Sequence, residues 1–212
     1  MKSLILKDLY NISTSVKTMA LILALFAVTI LPNLGTASYV AVCTVTCGTL
    51  IITTFSLDDM SKWNRYALIT PVTRRNVVTS KYILLLIFSL ACAVVGVTVA
   101  VIAGIFMKKF DMTETLVSVL VSLCLVILFG SVIIPLIFKY GAEKARMFLI
   151  ICFILPTFIF YGLYALSQKA HVQMPSEAVI ESLLWLLPLL ILAIALVSIK
   201  ISCATFNKKE LT

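Results

Sequence analysis

The chain has 212 residues, 62% of them hydrophobic and 12% charged, with 17 Lys and Arg against 9 Asp and Glu for a formal net charge of +8. A mean hydropathy of +1.15 leaves too little polar surface to coat a soluble globule of this length. That excludes a soluble domain and, with it, a basic groove for nucleic acid, and it describes an integral membrane protein.

A hydrocarbon core about 30 Å thick calls for roughly 20 apolar residues per helix. The stretches 18–34, 38–57, 82–107, 115–138, 147–167 and 183–204 meet that requirement. Runs such as Tyr82 to Ala91 are continuously apolar, whereas a transmembrane barrel needs alternation. The expectation is an all-α membrane protein, a single domain over residues 1–212, with six transmembrane helices and short connections.

At the start of the chain, Ile5, Leu9, Ile12 and Val16 fall on one stripe at helical spacing, with Lys2, Lys7, Asn11 and Thr14 away from it. This predicts an amphipathic helix lying in the membrane interface and leading into the first span. Gly35-Thr36-Ala37 has a small-x-small pattern, but a long basic region containing Asp8 argues against a cleaved secretion signal.

Between the second and third stretches lies a polar loop, Asp58-Asp59-Met60-Ser61-Lys62-Trp63-Asn64-Arg65-Tyr66 running on through Pro71, Arg74, Arg75 and Lys81. Asp58 and Asp59 suit the positive end of a short helix, and Pro71 drives Thr70 out of the helical region and ends it. Met60, Trp63 and Ala67 would share one face, with Lys62, Arg65, Tyr66 and Ile69 beside it. Thr73 is the expected N-cap of the third span. Arg74 and Arg75 then occupy its first turn, where positive charge opposes the helix dipole, so lipid headgroups or another partner must offset them.

Further along, Cys92, Gly96, Ala100 and Gly104 recur every four residues, a stripe that lets a neighbouring helix approach closely, most simply within the same subunit. Pro135, Pro156 and Pro188 interrupt the fourth, fifth and sixth stretches, each removing a backbone hydrogen bond and permitting a kink. Pro175 with Ser176 could open a short helix before the last span. The six cysteines all lie within predicted spans, where they read as small packing residues rather than a disulfide framework. His171 has no partner with which to bind a metal.

Orientation follows from the basic residues. With both termini inside, all of the 17 Lys and Arg except Lys108, Lys109 and Lys169 fall on the cytoplasmic side of a cell inner or plasma membrane. The excess positive charge then reflects topology and contact with anionic lipid.

The order of an amphipathic amino-terminal helix, two spans, the segment from Asp58 to Tyr82 and four further spans resembles the small permease subunits of bacterial type-2 ABC exporters. The layout matches over the whole chain, and recognisable detail is confined to residues 58–82. The resemblance implies that this segment is a coupling helix docking into a separate cytosolic ATP-binding subunit, with Asp58, Asp59, Lys62, Trp63, Arg65 and Tyr66 at the contact and Pro71, Arg74 and Arg75 shaping the return into the membrane. It also implies a second permease chain, identical or related, an external re-entrant piece before the last span, and movement of the spans near the pathway, for which Pro156 is the preferred hinge.

Residue inspection agrees with a permease that lacks its own engine. No Gly-x-x-x-x-Gly-Lys-Ser/Thr loop is present to cradle phosphates, so ATP and magnesium would be bound by the partner subunit and no cofactor by this chain. Ionisable residues fall at or near predicted span ends, which disfavours an ion-coupled carrier and an intramembrane protease. The expected function is ATP-driven outward movement of an amphipathic or hydrophobic cargo such as a peptide. Its rivals are a membrane sensor or scaffold that recruits a cytosolic partner and a stand-alone secondary carrier.

Overall fold

The computed structural model describes residues 2–63, 66, 73–107, 111–144, 147, 148, 150, 151, 154, 158, 161, 162 and 177–208. Among these the bounded helices are α1 (Lys2–Gly48), α2 (Leu50–Met60), α3 (Arg74–Met107), α4 (Met112–Tyr140) and α5 (Glu177–Lys208). The protein is an all-α membrane protein in which 4 helical stretches, Ser15–Met60, Arg74–Phe106, Met112–Tyr140 and Leu186–Phe206, are long and apolar enough to cross a bilayer. The expected fifth span, 147–167, and its hinge Pro156 lie largely outside the described residues.

The first of these stretches is bent double. Tyr39 Oη donates to the Leu23 carbonyl at 3.3 Å across 16 residues, whereas a straight helix would separate those positions by roughly 24 Å. The reversal is at Gly35, with φ 86° and ψ 175°, a region that only glycine enters readily. Two antiparallel arms result, divided where the sequence divides 18–34 from 38–57. Leu23, Tyr39, Cys43 and Cys47 pack between them against Phe26 and Ile30.

The second arm continues through Thr49 into α2, and α3 runs back beside it. The small-residue stripe lines this contact. A Cβ added to Gly96 would stand 3.3 Å from Cys43 Cβ and 3.5 Å from Val40 Cα, and Ala100 and Gly104 are buried. Close approach places Cys92 against Cys47, and the two form a disulfide with a Cα separation of 6.2 Å. The sequence expectation that these cysteines are packing residues only is thereby corrected: helical register brings residues 45 apart onto facing turns.

The amino-terminal stripe is also rotated from its expected position. Leu4, Asp8 and Ile12 face the core, while Leu9 and Val16 are exposed. Asp8, which is not part of the apolar stripe, is buried here by charge pairing. The separate short helix expected after Pro175 is replaced by the first turns of α5, which runs unbroken from Glu177.

α4 and α5 close the bundle. Phe55 meets Phe138 edge-on at 5.2 Å, and Phe138 lies 5.0 Å from Phe206, joining α2, α4 and α5 in the main core. Pro135 lies inside α4 and has no N–H for the carbonyl four residues back, that of Ser131. Ser198 Oγ of α5 donates to that carbonyl at 2.5 Å. Ser198 also bonds Tyr82 Oη of α3 at 2.6 Å, and Ser202 bonds the same hydroxyl at 3.0 Å.

Candidate functional site

The polar loop is rooted in a buried charge cluster at one end of the bundle. Lys81 of α3 donates to Asp8 Oδ2 at 2.8 Å and to Asp58 Oδ2 at 2.5 Å, and Lys7 donates to Asp58 Oδ1 at 2.5 Å. Lys7 is also 3.1 Å from Asp8 Oδ1, an ion-pair contact without hydrogen-bond geometry. Asp58 is 2% exposed and Lys81 3%, and with buried Asp8 and the partly exposed Lys7 they form an electrically neutral set of two carboxylates and two ammonium groups. Stripping water from an isolated ion costs several kcal/mol; alternating signs and shared hydrogen bonds make the burial tolerable.

These contacts join the amino-terminal helix, the end of α2 and the first turns of α3. Asp58 and Asp59 therefore do not begin a helix, as their spacing before Pro71 suggested; they end one. Two acidic residues at a helix carboxyl end oppose the macrodipole, and the partners explain how they stand there. Lys7 and Lys81 neutralise Asp58, whose carboxylate is turned inward. Asp59 is exposed and its Oδ2 accepts from Ala142 N at 2.9 Å, capping the turn that follows α4 at Gly141.

α2 stops at Ser61, whose N–H reaches the Leu57 carbonyl at 3.0 Å. Lys62 then takes φ 51°, the left-handed conformation usually given to glycine at this position. That reversal lays Trp63 back over the cluster, with Lys7 Nζ 4.3 Å from its ring centroid. Trp63 is half-buried against the core, whereas Lys62 and Tyr66 are exposed. Of the other sequence-derived contact residues, Arg65 and Pro71 lie outside the described residues.

On the return, Thr73 caps α3 as expected, its Oγ1 accepting from Asn76 N at 3.3 Å. Arg74 donates to the Phe206 carbonyl at 3.1 Å, one of the last carbonyls of α5, where a cation suits the dipole. The charge that opposes its own helix thus completes another. Arg75 is exposed. The charged end thereby gathers Lys7, Asp8, Asp58, Asp59, Arg74, Lys81, Ala142 and Phe206 from every bounded helix or the turn after it. Sequence reading found Asp58, Asp59 and Arg74 but missed Lys7, Asp8 and Lys81 as their partners.

Together the apolar helices and the absence of a phosphate-binding motif in the sequence describe a multi-pass membrane component that carries an ion-rooted polar loop at one end of its bundle. The sequence model of the ABC-2 family transporter protein matches residues 3–207, and the chain belongs to that family. It is a membrane permease of a kind that lacks an ATPase domain and generally pairs with ABC ATPase subunits. No curated protein and no solved structure matches the chain.

Proposed function

We propose that this chain is the permease half of an ATP-driven exporter, with six spans, both termini cytoplasmic, and residues 58–75 forming the coupling element that docks on a cytosolic ATP-binding subunit. A second permease chain, identical or related, completes the pathway, and two ATP-binding subunits supply ATP hydrolysis. The observation that carries this reading is the anchoring of the loop. Lys62, Trp63 and Tyr66 lie just beyond Asp58, which is ion-paired to Lys7 and Lys81. A pull on that knuckle is delivered to three helical segments at once, since buried ion pairs and packed cores shift between discrete arrangements rather than stretch. ATP-driven closure of the partner subunits would in this way bias the bundle between states of different affinity for cargo. An apolar pathway suits an amphipathic or hydrophobic cargo, including a peptide.

The test is co-purification with the ATP-binding subunit. Trp63→Ala combined with Arg65→Glu is expected to abolish the complex and return ATP turnover to that of the ATP-binding subunit alone. Unchanged co-purification and turnover would remove the coupling role from this loop.

A further inference from the structure

We infer that the Pro135 break in α4 is a hinge held shut by a releasable hydroxyl latch, Ser198 on the Ser131 carbonyl, and that the segment beyond it is the part of α4 that moves when the coupling loop is pulled. The use of the hinge rests on the ATP-driven reading above; the latch itself does not.

The helix runs continuously from Met112 to Tyr140, but its contacts differ on either side of Pro135. Before the break, Ser118 Oγ donates to the Ala37 carbonyl at 2.6 Å. Gly130 is pressed so closely on α3 that an added Cβ would come within 2.5 Å of Leu85 Cδ2. Beyond the break, the helix ends at Gly141, φ 87°, and the next N–H is held by Asp59 of the coupling loop root. One half of α4 is thus fastened to α1 and α3, and the other packs through Ile137 and Phe138 against α2 and α5 and is tied to the loop root through Asp59. Between them stands the one turn where proline has removed a helical hydrogen bond.

That missing bond is replaced from outside the helix. The Ser131 carbonyl, left without its helical donor by Pro135, accepts a hydrogen bond from Ser198 Oγ, which is oriented in turn by Tyr82, itself shared with Ser202. In an apolar interior an unsatisfied carbonyl costs more than a strained bond, so the latch favours the shut state. Neutral hydroxyl bonds in membranes are individually weak, however, averaging about 0.6 kcal/mol. A latch of that strength can be opened by a partner-driven motion, which a buried ion cluster of the loop root cannot. Space exists on both sides. An open surface recess of about 360 Å³ borders Ser131, Ser198 and Val197, and another of about 410 Å³ is lined by Asp59, Met60, Tyr140 and Lys144 beside the Asp59–Ala142 bond.

The experiment is a cycle of Ser198→Ala and Pro135→Ala in the full chain in lipid nanodiscs, read by amide hydrogen exchange over residues 136–140. Ser198→Ala alone is expected to speed that exchange about threefold, the fold-change that corresponds to a latch of about 0.6 kcal/mol. Pro135→Ala restores an N–H four residues from Ser131, so the same serine change should then alter exchange less than about twofold. Ser198→Thr, which keeps the hydroxyl, should behave as the parent. Equal acceleration in both backgrounds overturns the latch. In the complex with its ATP-binding subunit, adding Mg-ATP should raise exchange at 136–140 and leave 118–130 unchanged. No change at 136–140, in a complex that still falls apart on Trp63→Ala with Arg65→Glu, overturns the hinge while sparing the coupling reading.

Discussion

Lys81 and Tyr82 are neighbours on α3, yet they enter two polar clusters of opposite character. Lys81 joins a net of full charges with Asp8, Asp58 and Lys7 that ties α1, α2 and α3 together. Tyr82 joins neutral hydroxyls, Ser198 and Ser202, that tie α3 to α5 and, through Ser131, to α4. The first is costly to open because Asp8, Asp58 and Lys81 would be left buried without a counter-charge. The second opens for little. One residue step along a helix therefore separates a rigid joint from a yielding one, and α3 carries both.

The comparison breaks most visibly at Asp58. Asp58→Ala leaves Lys7 and Lys81 with a single carboxylate between them, a loss of about 3–5 kcal/mol for a broken buried pair. Thermal unfolding in detergent should show a collapse of the midpoint or no folded protein. Replacing Asp58 and Lys81 together by Leu and Met removes both charges and should cost less than either single change. If Asp58→Ala leaves the midpoint unmoved, the ions are not a joint.

A smaller effect belongs to the hydroxyl side. Tyr82→Phe keeps the ring and deletes two hydrogen bonds, while Ser198 still reaches Ser131; the expected loss is about 1 kcal/mol. The same melting experiment measures it, and a cost equal to that of Asp58→Ala would erase the distinction between the clusters.

The smallest effect contrasts a buried carboxylate with an exposed one. Asp111 caps α4, accepting from the Thr113 hydroxyl and from the N–H groups of Thr113 and Glu114, and these bonds hold its carboxyl below the ordinary carboxylate range. A folded-state pKa below the unfolded value gives stability that is present above the ordinary range and lost as pH falls through the depressed one. Melting midpoints of the parent and Asp111→Ala should therefore differ slightly at neutral pH and converge in acid. A difference that grows in acid would contradict this.

Much of the architecture was legible because bilayer thickness acts on runs of single residues. The apolar stretches, the Thr73 cap and the packing stripe of Gly96, Ala100 and Gly104 are local patterns, and local patterns survive in a one-dimensional reading. The charge cluster was not legible, since the pairs that join its helices are 23, 51 and 73 residues apart and lysines near span ends carry a sufficient explanation in membrane orientation. Asp8 defeated the amphipathic pattern because hydrophobicity scores a buried, ion-paired acid as exposed. The Cys47–Cys92 bridge and the Ser198 bond to Ser131 likewise depend on register between helices, which no single helix encodes. Pro135 was recognised as an interruption, but only the facing helix shows what fills it.

Gly35 carries a consequence of handedness. Nothing lies within 4 Å of the place a Cβ would occupy there, so volume does not forbid a methyl group; torsion does, because φ 86° with ψ 175° is closed to L-residues. Reflected, the same angles are ordinary extended backbone. A semisynthetic chain with D-alanine at this position should keep its hairpin, while the L-enantiomer, identical in every atom count, should spring the two arms apart.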